Sequence, residues 1–205
     1  MHILRLAHAL AFLAGIHATV AQPASSDARG TSAERPATDH AVGFYDLRIG
    51  RIVLVGGPGD PKDGGRDGVW SWSGKHWERV TEAGPFGRVN AAAAYDVRRG
   101  RAVVTGGSRK TADGATWEVV GDSWVGDGTG WRRIADVAPV DHQSLVEDGR
   151  GGVLMYGGIP ADRSGPWPDD TWELQDDEWK RIATEGPPGR GRSALAYDRR
   201  RQRGV

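Results

Sequence analysis

Three glycine pairs, Gly56-Gly57, Gly106-Gly107 and Gly157-Gly158, divide this chain at intervals of 50 and 51 residues. Each pair closes a short apolar run, and two tryptophans seven residues apart follow each one: Trp70/Trp77, Trp124/Trp131 and Trp172/Trp179. A fixed period of about 50 residues with several short strands per unit is the signature of a propeller or a similar array. It fixes an architecture far more firmly than a ligand.

Aligned on the glycine pairs, the units match element by element over 39–88, 89–140 and 141–191. Each opens with a short strand, at 41–46, 91–96 and 144–147. The alanine run at 91–94 has helical propensity, which its place in the repeat overrides. Polar turns at 47–50, 97–100 and 148–151 suit tight hairpins. The second strands, 52–55, 102–105 and 153–156, are the most apolar, as expected of strands buried on both faces. The glycine pair then ends the strand, where the backbone must turn sharply or approach a neighbour closely.

A loop of variable length follows, at 58–67, 108–116 and 159–169. The third strand carries the first tryptophan and the fourth carries the second. After that second tryptophan come two polar residues, the latter always Arg, and then a β-branched residue: Trp77-Glu78-Arg79-Val80, Trp131-Arg132-Arg133-Ile134 and Trp179-Lys180-Arg181-Ile182. Four strands in each period of about 50 residues imply an antiparallel meander. Thr116-Trp117 resembles Thr171-Trp172 locally, yet Trp124 is the better equivalent because it keeps the seven-residue step. A fourth unit opens at 192, with a first strand expected over 193–198, and the next glycine pair falls due about three residues beyond Val205.

The chain carries 27 basic and 27 acidic residues, so no net field draws it to nucleic acid or to an anionic membrane. Its 31 glycines and 11 prolines favour tight turns over long helices. Cysteine is absent from the sequence, so disulfides, thiolate nucleophiles and Cys-ligated metals are excluded. Arg5, an apolar stretch over 6–16 broken by His8, and Thr19-Val20-Ala21 read together as a secretory signal over 1–21. The stretch is too short to span a bilayer. A flexible linker is expected over 22–38, and a secreted or periplasmic location follows from the signal.

The strand ending in a glycine pair, the Asp170-Thr171-Trp172 type of third strand and the later tryptophan resemble the kelch repeat family. The form is that of bacterial proteins similar to the central propeller of galactose oxidase, and the likeness covers about 40–198. The resemblance implies an all-β kelch-type β-propeller, incomplete, with three four-stranded antiparallel blades and the first strand of a fourth. In that family the inner strand often opens with Arg, two residues, then His. Arg88 and Arg190 match the Arg place and His142 the His place, while no unit keeps both. Propellers typically close with 4–8 blades, so the chain reads as the N-terminal part of a longer protein or as one member of a ring of copies. Open blade edges make self-association a further expectation.

Neighbouring inner strands would bring His40, Asn90, Asp141, His142 and Arg192 around one channel, as candidate binding residues or as plain channel lining. Asp60, Asp63 and Asp67 read as loop-solvating acids, since their spacing does not match a calcium loop. The run 126–130 reads as a hairpin turn and not as a phosphate cradle, and Arg199-Arg200-Arg201 as a solvated turn. The six repeated tryptophans read as blade core. Trp72, Trp117 and Trp167 stand outside the repeat, and Trp167, between two prolines on a long loop, is the best candidate for an exposed binding residue.

The function expected is an exported, non-enzymatic propeller scaffold for a protein or glycan partner, with no cofactor and no metal. The alternative is part of a propeller enzyme, oxidase-like or sugar-isomerase-like, with an active site not complete here. The copper-radical site of the galactose-oxidase family needs a Tyr crosslinked to a Cys, which these residues do not supply.

Overall fold

The computed structural model describes residue 36 and residues 39–57, 68–81, 84–138 and 140–205. The expected signal at 1–21, the linker at 22–38 apart from residue 36, and the loop with Asp60, Asp63 and Asp67 lie outside the described residues. Among the described residues every regular element is a strand.

Three antiparallel four-stranded sheets follow one another. The first joins β1 (Val42–Asp46), β2 (Arg51–Val55), β3 (Val69–Trp72) and β4 (Trp77–Thr81), each paired with the next. A short β5 (Arg88–Val89) leads to the inner half of the second sheet, β6 (Ala92–Asp96) and β7 (Arg101–Thr105). A hairpin of β8 (Ser108–Lys110) and β9 (Trp117–Val119) intervenes before the outer half, β10 (Ser123–Gly126) and β11 (Trp131–Ile134). After β12 (Val140–Asp141) come β13 (Ser144–Glu147) and β14 (Val153–Tyr156), then a short β15 (Ile159–Pro160) that pairs with β12. The third sheet is completed by β16 (Thr171–Gln175) and β17 (Glu178–Ala183), and β18 (Tyr197–Asp198) pairs with β19 (Arg203–Gly204). These are three blades of a β-propeller and the beginning of a fourth.

The register sets the first tryptophan of each unit in one place. Trp70, Trp124 and Trp172 lie opposite Leu54, Val104 and Met155 on the second strand. On the fourth strand they lie opposite Arg79, Arg133 and Arg181. The recurrent Arg therefore has a physical reason: the guanidiniums of Arg79 and Arg181 stand 5.9 Å from the rings of Trp70 and Trp172, within cation–π range. Arg133 instead pairs with Asp136 at 2.5 Å. Trp117 lies on the β8–β9 hairpin, away from the blade register.

Two expectations are revised. The stretch at 108–116, expected to be loop, contributes β8, which pairs with both β5 and β9 to form a three-stranded sheet. Asp113 organises its turn by accepting bonds from Thr111 and Ala115. In the fourth unit only Tyr197–Asp198 of the expected 193–198 strand is in regular sheet. Its ladder partner is β19, Ala196 and Val205 exchange two further backbone bonds, and the Ser193 carbonyl accepts from Ser144 Oγ at 2.6 Å instead of from a strand.

Directly opposed residues of an antiparallel pair share a face. Trp172, Leu174, Trp179 and Arg181 thus lie on one face of the third blade, and that face packs on the second blade. Their cluster joins Val153, Met155, Leu174 and Trp179 to Ala94, Val103, Val125 and Ile134. The second blade repeats the arrangement toward the first, where Trp131, Tyr95, Ala102 and Val104 meet Phe44, Val53, Val55 and Val69. Covered on both faces, β7 is buried along its whole length. The small alanines of β6 let it contact β1 and β13 together.

Polar links cross the same seams. The indole of Trp179 donates to Ser123 Oγ at 2.9 Å, and Ser123 shares a 2.6 Å bond with Thr105. The two-residue turn Asp176-Asp177, with φ of 48° and 67°, suits a type I′ hairpin. It reaches back over the second blade, where Asp177 pairs with Arg101 and Arg132, both at 2.6 Å.

Each glycine pair welds one blade to the next linker. The second glycine donates its N–H across the seam: Gly57 to Arg88 O at 2.9 Å, Gly107 to Val140 O at 3.0 Å and Gly158 to Arg190 O at 3.0 Å. Gly107 has φ of 91°, and a Cβ there would lie 2.6 Å from Val89 O and 2.8 Å from Ala91 N. Gly100, in the 1–2 turn, has φ of 64° and open space around it. Gly100→Ala should therefore cost only the left-handed backbone penalty of about 1–2 kcal/mol. Gly107→Ala should cost clearly more, because backbone must move, and thermal unfolding of the two variants side by side measures the difference.

Candidate functional site

Strand direction sorts the molecule into two ends. The start of each first strand, the finish of each second strand and the loop leading to the third strand share one end. The tight 1–2 and 3–4 turns share the other. The loop end therefore gathers the glycine pairs, the β8–β9 hairpin, the 159–170 loop and the residues just before β1, β6 and β13.

Those residues form a ladder. His40, Asn90, His142 and Arg192 have φ of 53°, 58°, 57° and 58°, a left-handed conformation repeated once per unit. Asn90 N–H donates to His40 O at 3.3 Å, His142 N–H to Asn90 O at 3.0 Å, and Arg192 N–H to His142 O at 3.0 Å. Four of the residues that the sequence suggested for one channel are thus joined through their backbones. Their side chains meet less uniformly. The ring of His40 bonds Asn90 Oδ1 through Nδ1 at 2.9 Å and lies 3.4 Å from Asp39. Arg192 is exposed, and among the described residues its guanidinium has no bonded partner.

Asp141 sits differently from its neighbours: its carboxylate is fully buried. Oδ1 faces His142 Nδ1 at 2.9 Å, while Oδ2 accepts from Ser108 Oγ at 2.9 Å and Arg163 Nη2 at 2.8 Å. Burial alone would raise its pKa. The bonds from His142 and Ser108, with the charges of His142 and Arg163, outweigh that and hold the carboxyl below the usual range. The ring of His142 is 12% exposed and rests on this anchored carboxylate.

Trp167 is 41% exposed on the 159–170 loop. Among the described residues no polar contact joins it directly to the ladder. The connection is through its own loop, since Arg163, four residues earlier, is bonded to Asp141. Neither Arg163 nor Ser108 is legible as a site residue in the sequence. Both lie in segments of variable length where no repeat marks them, and only their contact with Asp141 singles them out.

Beneath the ladder lies a second buried charge pair. Arg88 is 3% exposed and binds Asp122 through two bonds, of 3.0 and 2.8 Å. It also donates to Pro85 O and to Gly106 O. Trp124 Nε1 adds a 2.6 Å bond to Asp122 Oδ2. Val140 takes the place of Arg88 before the third blade, and there Asp170 turns to Arg181 at 3.5 Å. Among the described residues no group of three or more His, Asp or Glu is arranged to hold a metal ion, and no helix is long and apolar enough to cross a membrane.

No family model matches the chain, and no curated protein matches it in sequence. Solved structures do match in fold. The chain is similar to YjhT at 14% identity and a TM-score of 0.51, over 69% of this chain and 43% of that one. A fungal alcohol oxidase of the AA5 family, in complex with copper, aligns at 14% identity and a TM-score of 0.47, over 75% of this chain and 32% of that one. The chain thus spans less than half the length of either. At this identity the likeness to YjhT shows the fold alone, a β-propeller architecture.

The Arg88–Asp122 pair yields a pH-dependent expectation. Burial would raise the pKa of Asp122, but the bonds from Arg88 and Trp124 bring it below the ordinary value. A carboxyl with a depressed folded pKa contributes its stability above the unfolded value of about 3.9 and loses it as pH falls through the folded one. Asp122→Asn leaves Arg88 buried without its counter-charge and should cost about 3–5 kcal/mol at pH 7. Denaturant unfolding from pH 7 to pH 2 should show the gap between variant and parent narrowing below about pH 4.

Proposed function

We propose that this protein is an exported, non-catalytic propeller scaffold of kelch type that uses its loop end to bind a protein or glycan partner. One observation carries the reading: the loop end presents an exposed tryptophan on a stiff support beside an ordered row of polar side chains. Trp167 is flanked by Pro166 and Pro168, and Gly189 packs so closely on the Trp167 carbonyl that it has no room for a Cβ. Tyr156 donates to Pro187 O and ties the neighbouring Pro-Pro-Gly stretch to the third blade. A rigid aromatic loses little entropy on binding, which suits an anchor residue. The other end is taken up by self-satisfied turns, where Asp46, Asp148 and Asp198 bond the backbone of their own hairpins.

Export rests on residues 1–21. Expression in a secreting bacterial host should deliver a mature chain whose N-terminal sequence begins at Gln22, and a chain retained with its first residues intact removes export from the reading. For binding, the chain should be probed against a glycan array and a displayed peptide library. Ligands found should bind about tenfold or more weakly to Trp167→Ala, a loss of about 1.4 kcal/mol. They should bind equally to Lys75→Ala, which alters a turn at the opposite end. Ligands that map to the turn end, or no ligand on either array, would defeat the proposal.

A further inference from the structure

We infer that β9, the outer strand of the β8–β9 hairpin, is an open edge that takes up an extended peptide segment of a partner protein as a further strand, with an acidic side chain of that segment beside Lys110. The surface is a second one at the loop end and does not require Trp167.

The pairing register decides which backbone groups are open. The small sheet runs β5-β8-β9, so β9 has a neighbouring strand on one side only. Ser108 lies opposite Val119, Arg109 opposite Glu118 and Lys110 opposite Trp117. Just outside this ladder Val120 N–H donates to Gly107 O and Thr111 N–H to Thr116 O, both at 2.9 Å. Bonded and non-bonded pairs alternate along an antiparallel ladder. Arg109 and Glu118 are therefore the bonded pair, and the N–H and C=O groups of Trp117 and Val119 point away from β8. Among the described residues no backbone or side-chain group bonds them. The open edge stops at Gly121, whose carbonyl already accepts from Val137 N–H at 2.9 Å. Its length suits a short extended segment that makes about four backbone bonds.

The side chains select the segment. Lys110, Trp117 and Val119 share one face of the hairpin, and Arg109 and Glu118 share the other. Trp117 is 46% exposed, and the Lys110 ammonium lies 5.8 Å from the centre of its ring. The ammonium thus stands over the outermost strand, beside the place of an added strand about 4.8 Å further out. Arg109 is matched by Glu118 at 2.7 Å, whereas among the described residues no carboxylate pairs with Lys110. A carboxylate on the Trp117 face of the incoming strand supplies the missing charge. β-Branched residues flanking it on that face pack on the indole, as such cross-strand pairs do. Charge also argues against a second copy of this chain as the occupant. β9 laid antiparallel on its counterpart, with Trp117 opposite Val119, sets Glu118 opposite Glu118, and like charges directly opposed in a sheet are unfavourable. Strand addition of this kind draws affinity from the main chain and selectivity from alternate side chains.

The experiment titrates the acetylated, amidated peptide Thr-Val-Thr-Glu-Thr-Val-Thr into the full chain and follows the hairpin amides by NMR. Extended, this peptide carries its valines and glutamate on one face. The amides of Trp117 and Val119 should shift saturably at about 1 mM peptide or below and gain protection from hydrogen exchange. N-methylation at the glutamate and the second valine blocks the pairing edge and should abolish binding. The same change at the two inner threonines, whose N–H groups face away from β9, should be tolerated. Lysine in place of the glutamate should bind about threefold more weakly, and Lys110→Glu should reverse that preference. Val119→Pro removes an outward N–H and leaves the bonds between β8 and β9 in place, so affinity should fall about tenfold. Trp117→Ala should give a similar loss. The hairpin is an insertion outside the four-stranded blade, so these variants should keep the parent circular dichroism and melting curve. No saturable shift up to about 10 mM peptide, equal binding of the two methylated peptides, or binding unaltered by both Val119→Pro and Trp117→Ala would overturn the edge site. Shifts of the same amides on concentrating the chain without peptide would make a second copy the occupant and overturn it too. Peptides that bind through Trp167 and leave the hairpin amides unmoved would sink this inference and leave the reading above standing. Binding at the hairpin that is indifferent to Trp167→Ala would support the edge site and remove the role given to Trp167.

Discussion

One backbone bond recurs at every junction between blades, and the rest of the arc depends on it. The second glycine of each pair donates to a carbonyl in the next linker, two residues before a left-handed residue that itself bonds its counterpart in the preceding unit. The bond demands positive φ at the glycine. It also demands an approach so close that a Cβ at Gly107 would lie 2.6 Å from the Val89 carbonyl oxygen. No other residue type meets both conditions, because L side chains disfavour that backbone region and the volume is already filled. Where this bond sits, the next blade must follow at a set distance, and the inner strands converge.

Hydrophobic burial then follows a direction. In the second and third units both tryptophans lie on the face turned toward the preceding blade, and smaller residues such as Val103, Val125 and Val153 complete the seams. A large side chain from one side meeting a smooth β-branched surface on the other makes a dense seam without requiring matched shapes on both. The polar groups trapped in these seams are satisfied across them. Trp179, Ser123 and Thr105 form one such chain, and Arg88, Asp122 and Trp124 another. Each would be costly half-made, so each ties the relative position of two elements as firmly as the apolar contacts do.

The same welding creates the surface at the loop end. The ladder of His40, Asn90, His142 and Arg192 exists because the linkers must be held, yet it leaves a row of polar side chains at one end of the blades. The insertions after the glycine pairs are free to vary because the blade is complete without them. In the second unit the insertion folds into a hairpin that extends β5, and in the third it brings Arg163 to Asp141 and carries Trp167 outward.

Repetition made the blades legible. The step from Trp124 to Trp131 located the third and fourth strands and rejected Trp117, and the shared Arg after each second tryptophan had its meaning in the pairing of Arg79 with Trp70 and Arg181 with Trp172. The residues that give the loop end its chemistry were less visible. Asp141 and His142 could be named as neighbours in sequence, but not that one would be wholly buried and the other rest partly exposed on its carboxylate. Ser108, Arg163 and the Arg88–Asp122 pair join positions 33, 22 and 34 residues apart with no repeated spacing to announce them. The sequence by itself determined the four strands of each blade, the period and the positions where only glycine fits, because those are local demands repeated in every unit. Only the tertiary structure decided which polar groups meet beneath the loops, because that depends on how non-repeating insertions fall across a seam already closed by the repeat.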